Sequence, residues 1–232
     1  MRSQAVTKSA QAAEPSRTAD KKDATHESIL DAAARLVRRR GIAGARIADV
    51  MHAAGLTVGG FYAHFGSKEE LIDATLRRAG MGLRTRLFDG IEALPRAVRG
   101  LELIERYLSA AHRDRNHEGL GCALPAVTSE VATTAAAHRP VLNEQVGLLI
   151  GRLQAQLPAT QAAPRLTAVA LTALMYGGLS LARALRGTPL SDEVLQACRA
   201  LGRQWLSRDD DHDGNDNAYG DKDFANFEEA TS

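Results

Sequence analysis

Apolar positions recur at helical spacing along most of the chain. Ile29, Ala33, Leu36 and Val37 fall at i, i+4, i+7 and i+8, which predicts a helix from about Thr25 to Arg40 with one apolar face. Arg38, Arg39 and Arg40 end it, where cations suit the helix macrodipole, and Gly41 is the natural stop. Ile47, Val50, Met51 and Ala54 predict a second helix that Gly55 terminates. Thr57 is then placed to cap a short helix on which Phe61 and Phe65 share one face. Ser67-Lys68-Glu69-Glu70 reads as a capping box, opening a helix that carries Leu71, Ile72, Leu76, Ala79 and Leu83 to about Asp89.

Beyond Leu94-Pro95, the positions Leu101, Ile104, Tyr107, Leu108 and Ala111 predict another helix, followed by a loop from Asp114 to Gly121. A short helix is expected from Cys122 to Ala132, and a longer one from Pro140 to about Leu157. Arg165 to Arg186 is apolar on nearly every side. Ser191 is placed to cap a last helix carrying Leu195, Cys198, Leu201, Trp205 and Leu206. The chain is therefore all-α.

The segment between Gly55 and Ser67 is unusual for a helix. Gly59 and Gly60 stand side by side inside it, and each interior glycine costs roughly 1 kcal/mol relative to alanine. That penalty is expected where the backbone must approach something closely. Tyr62 and His64 lie off the apolar face and offer hydrogen bonds. Helix, short glycine-bearing turn, helix is the helix-turn-helix spacing, and a short capped helix with polar tips suits a DNA major groove. Taken alone, the stretch fits equally well a surface turn anchored by two aromatic rings.

Charge shifts that balance. The formal net charge of +1 over 232 residues hides a segregation. Residues 209–232 hold nine acids and one base, whereas residues 1–89 hold fifteen bases and ten acids. The basic part thus contains the candidate reading helix, as a nucleic-acid footprint requires. Residues 1–23 have no hydrophobic period and read as a disordered basic arm with Arg2, Lys8, Arg17, Lys21 and Lys22. Residues 209–232 read as a disordered acidic tail. Its Asp209-Asp211-Asp213-Gly214 run opens like a calcium loop, but Gly220 stands where a bidentate glutamate is needed. Cys122 and Cys198 have no metal-ligand spacing and no disulfide partner pattern, so a cytoplasmic location is the default. The N-terminus has no apolar signal region. Leu166 to Ala182 is uncharged over 17 residues, slightly short of a membrane span, and reads as a bundle helix.

With these residues in place, positions 25–76 resemble the DNA-binding domain of the TetR (tetracycline-repressor) family of bacterial transcription regulators. Ile29, Ala32, Ala33, Leu36, Gly41, Ile47, Val50, Ala54 and Gly55 match, and the run from Gly59 to Leu71 is close to the family signature. The resemblance implies a helix-turn-helix domain at 24–70 and a helical ligand-binding and dimerisation domain at 71–208. It implies that Thr57 caps the reading helix and bonds a phosphate, and that Tyr62 and His64 contact phosphates. Lys68 adds charge at a helix N-terminus already suited to phosphate. Val58 and Gly60, beside Gly59, would face base edges, where family members often carry longer side chains. Valine touches only apolar groups such as a thymine methyl, so shape readout gains weight. Arg46 replaces the usual capping threonine or serine of the second helix and is expected to reach a phosphate instead. A Gly-Cys start at Cys122 resembles one subset of the family and suggests a ligand pocket with Tyr107, Cys122, Met175 and Tyr176.

The expected function is a homodimeric regulator, a repressor by the family's commonest behaviour. It would bind a palindromic operator in double-stranded DNA and respond to a small-molecule inducer. Dimerisation is expected through helices 165–186 and 191–206, where Ala173/Gly177 and Gly178/Ala182 leave shallow grooves for a partner helix. The alternatives are a sequence-tolerant nucleoid-type DNA-binding protein and a helical-domain enzyme. No nucleophile elbow, phosphate loop or zinc motif supports an enzyme, and the His112, His117 and Glu118 group reads as an ordinary solvated cluster. No cofactor, metal or membrane partner is expected.

Overall fold

The computed structural model describes residues 17–115 and 122–207; the calcium-like run, His117, Glu118, Arg2 and Lys8 lie outside the described residues. The described residues form α-helices joined by short 3-10 turns, with no strand. The helices are α1 (Arg17–Arg40), α2 (Ile47–Ala53), α3 (Lys68–Phe88), α4 (Arg96–Tyr107) and α5 (Ala110–Asp114), then α6 (Leu124–Thr133), α7 (Arg139–Gln156), α8 (Pro164–Ala184) and α9 (Pro189–Ser207).

Most boundaries fall within a few residues of the sequence pattern, with Gly41 and Gly55 in the left-handed conformation at φ 73° where stops were expected. Three differ for physical reasons. The helix expected through Leu101 to Ala111 ends at Tyr107, because Ser109 caps a new helix, α5, its Oγ accepting from His112 N at 3.0 Å. Helix α1 begins at Arg17, eight residues before the expected start at Thr25, so Lys21 and Lys22 sit on a helix and not in a disordered arm. Residues 20–24 are exposed, and hydrophobic periodicity cannot register a helical extension that buries nothing. Helix α9 begins at Pro189, so Ser191 is inside it and does not cap it. The Ser191 side chain is buried, and its Oγ donates to the Ala182 carbonyl at 2.7 Å, tying α9 to α8.

The described residues divide into two compact units, those within 1–89 and 109–149 and those within 90–108 and 150–232. In the first unit, Ile29, Ala33, Val37, Val50, Met51, Phe61, Phe65, Leu71 and Ile72 form one buried cluster. Arg78 on α3 bonds Asp31 on α1 at 2.7 Å and also pairs with Glu27. The Asp31 bond chiefly raises the Arg78 guanidinium's pKa, so α1 and α3 are pinned by charge as well as by apolar burial.

In the second unit α8 packs along α9, and both meet α4. Arg203 pairs with Glu105, and Arg199 donates to the Leu108 carbonyl at 2.8 Å. The small residues of α8 divide by face. At Gly178 a Cβ would stand 2.7 Å from Cys198 Sγ and 3.1 Å from Leu108 Cδ2, and Ala182 is fully buried. That pair is consumed by packing inside the unit and is not a groove for a partner. Ala173 is exposed, and among the described residues no atom outside its own helix turn lies within 4 Å of a Cβ at Gly177. By length and composition α8 is apolar enough to cross a membrane. Leu166, Val169 and Leu181 are its large exposed residues, and α9 exposes Leu190 and Leu201.

Candidate nucleic-acid interface

The reading segment is not an α-helix. Val58–Ala63 is a 3-10 helix held by Gly60 N donating to Thr57 O at 3.1 Å and His64 N to Phe61 O at 2.9 Å. Thr57 occupies the N-cap position with extended backbone, but its side chain accepts no capping hydrogen bond. The expectation that it caps is corrected. Its hydroxyl is exposed and remains available to a ligand.

Two rings anchor the segment. Phe61 is fully buried and Phe65 is 2% exposed, and their centroids lie 5.8 Å apart. Burying each ring is worth about 1.5–3 kcal/mol, enough to hold a six-residue helix in place. Between the two rings the chain turns Tyr62 outward, 72% exposed, with its ring edge-on to Phe61 at 5.1 Å. Val58 is 50% exposed, and Gly59 is exposed with no atom within 4 Å of where a Cβ would stand. Gly60 is half-buried and its added Cβ would meet only Met51 Cε at 3.8 Å. Neither glycine has positive φ. Neither is therefore required by its own backbone, and what they leave is a bare outward surface.

Lys68 opens α3 beside this surface. Ser67 Oγ accepts from Glu70 N at 3.0 Å, while Glu70 Oε2 accepts from Gly66 N at 2.7 Å. The capping box is present, with the carboxylate reaching one residue further back than the usual partner. Arg46, exposed at the N-cap of α2, makes no side-chain cap bond, as its chemistry dictates. Arg46, Thr57, Val58, Gly59, Tyr62 and Lys68 thus lie on or beside a surface of backbone and polar tips, with the rings behind it.

His64 is half-buried, and its Nδ1 is buried with no hydrogen-bond partner among the described residues. Its neighbour is a residue the sequence did not single out. His26 on α1 stacks on Phe65 at 4.5 Å and lies 6.1 Å from His64. Lys22 is one turn earlier on α1, on the same helical face as His26. No sequence signal marks His26, because the contact joins positions far apart in the chain.

The four expected pocket residues divide between the units. Cys122 is 1% exposed and lines a narrow cavity in the first unit with Leu76, Ala79, Leu83, Val127 and Leu142. Gln145 also lines it, and Arg84 Nη1 donates to its Oε1 at 2.9 Å. Tyr107, Met175 and Tyr176 belong to the second unit, the first two buried and the last half-buried. In the first unit, burial and then the charge of Arg86 hold the Arg38 guanidinium below its usual pKa. Among the described residues no group of acids, histidines and cysteines is arranged to hold a metal ion.

The sequence model described as bacterial regulatory proteins, tetR family, matches residues 29–75. The HTH-type transcriptional regulator TtgR of Pseudomonas putida is 40% identical over 60 residues, 26% of this chain and 29% of that protein. The HTH-type transcriptional repressor KstR2 of Rhodococcus jostii is 39% identical over 56 residues, 24% of this chain and 28% of that protein. The matched stretch therefore spans less than a third of either curated relative. A TetR transcriptional regulator structure from Chloroflexus aurantiacus aligns over 80% of this chain and 97% of that one. Its TM-score is 0.66 and its identity 25%. The TetR-family signature thus lies in residues 29–75, and the chain shares the helical fold of a TetR-family structure along four-fifths of its length.

Proposed function

We propose that this protein is a DNA-binding transcriptional regulator that docks its 46–68 segment on an operator duplex as a homodimer. The observation that carries this reading is the buried pair Phe61 and Phe65, which leaves Val58, Gly59 and Tyr62 exposed between Arg46 and Lys68. Tyr62, Thr57, His64, Arg46 and Lys68 position the protein on phosphates, and Val58 with Gly60 face the base edges. One six-residue reader covers too few bases for useful specificity, so two readers on a pseudo-palindrome are required. The exposed apolar residues of α8 and α9 support a dimer built on those helices, with Ala173 and Gly177 at its closest approach. The direction of control is repression, in line with the name of the relative KstR2.

The inducer in this reading is a small, mostly apolar molecule, because the cavity at Cys122 offers it little besides hydrocarbon and the Gln145 amide. The protein acts in the cytoplasm and catalyses no reaction. Genome-wide recovery of bound DNA tests the proposal. Recovery of one shared palindrome supports it. Uniform coverage without a motif supports the sequence-tolerant reading, which the sparse side chains at Val58 and Gly60 would favour.

A further inference from the structure

Glu130, on α6, reaches across 88 positions of sequence to the turn between α1 and α2. Its Oε1 accepts from Ile42 N at 3.0 Å and its Oε2 from Ala43 N at 2.7 Å. These two amides follow Gly41, whose φ is 73°. Successive backbone N–H groups after a left-handed residue form a concave cradle for an anion, and here a side chain of the same protein occupies it. The glycine makes the contact possible twice over. Its conformation aims the amides, and its missing side chain leaves the room, since a Cβ at Gly41 would stand 1.7 Å from Glu130 Oε1. Gly55, with the same φ, has nothing within 4 Å, so a helix stop alone does not call for such crowding.

The turn that Glu130 holds leads directly to Arg46 and α2. Helix α2 in turn carries the reading segment, through Leu56 N donating to Met51 O at 2.9 Å and through the shared core of Val50, Met51 and Phe61. Resting on the DNA-binding reading above, we propose that Glu130 is a positioning residue of the reading head. Its carboxylate, seated on the Ile42 and Ala43 amides, sets the stance of α2 and therefore of Val58–Ala63. The contact is charge-assisted, roughly twice as strong as a neutral hydrogen bond, and it is made at a single turn. Helix α6 also supplies Leu124 and Val127 to the wall of the Cys122 cavity. That cavity is only about 20 Å³, room for about one water. A larger apolar molecule enters only by displacing part of a wall built from α3, α6 and α7, and a shift of α6 is the one that would draw Glu130 off the turn.

Hydrogen exchange read by mass spectrometry on the full-length chain, together with affinity for the duplex recovered by genome-wide capture, tests this. Glu130→Ala should speed exchange at 41–45 and also across 47–63, leave 78–88 unchanged, and weaken duplex binding about tenfold or more. Glu130→Gln keeps the shape but turns an NH₂ toward one amide, so it should act in the same direction more weakly. It serves if the alanine variant fails to fold. Faster exchange at Ile42 and Ala43 alone, with 47–63 and affinity as in the wild type, overturns the proposal. If the wild-type protein captures no duplex, the DNA-binding reading fails, while exchange across 47–63 still decides whether Glu130 positions α2.

Discussion

Replacing Gly60 by arginine separates reading from folding. At Gly60 the backbone is not left-handed, and an added Cβ would meet only Met51 Cε at 3.8 Å, an ordinary contact. The long side chain leaves over a half-exposed surface, so no core atom has to move. Removing a glycine from a helical position recovers at most about 1 kcal/mol of propensity. For a chain of this size, 1 kcal/mol shifts the unfolding midpoint by roughly 2–4 °C, so the variant should melt within about 4 °C of the wild type. The effect on DNA is larger. An arginine aimed at base edges pairs bidentately with guanine and discriminates by about 1–3 kcal/mol, roughly fivefold to more than a hundredfold. Selection from a random duplex library, run beside a thermal melt, measures both. The expected result is a native-like melt with a new preference for guanine in each half-site, or loss of the original operator. A fall in midpoint beyond about 8 °C, twice the shift that 1 kcal/mol allows, would place Gly60 in a tight contact. An unchanged preference would mean that it does not face the groove.

Other outcomes follow from the same geometry. Lys68→Ala should weaken binding to all duplexes alike and reduce the slope of log K against log salt by about 1, in a salt titration by fluorescence anisotropy. Gly177→Leu adds a side chain where no described atom outside its own helix turn stands within 4 Å, so it should fold normally yet sediment as a monomer and lose operator binding. A dimer that persists would move the interface off α8. Ala79→Phe overfills the cavity beneath Cys122 and should loosen the Ile42 and Ala43 amides as an inducer would. Combined with Glu130→Ala, the loss of affinity should fall short of the sum of the two single losses, because both act on one contact.

What the sequence determined by itself was local. Helix stops at Gly41 and Gly55, the Ser67 cap with Glu70, and the apolar stripe on α1 depend on residues within one or two turns of each other. Their chemistry decides them before any tertiary contact forms. The same holds for the signature from Gly59 to Leu71, which carried the family resemblance and the candidate DNA contacts. Tertiary structure decided what depends on a distant partner. Whether a small residue on α8 faces its own unit or open space turned on Cys198 and Leu108, which Gly178 meets and Gly177 does not. Ser191 looked like a cap because its neighbours in sequence allow one, but the Ala182 carbonyl claimed its hydroxyl for packing α9 on α8. The reading segment is a 3-10 helix whose Phe61 and Phe65 are buried in a core that α1, α2 and α3 build together. Glu130 gave no signal at all in the sequence. A carboxylate on an amphipathic helix is ordinary, and only the fold brings it to two amides of a turn that precedes it by more than eighty residues.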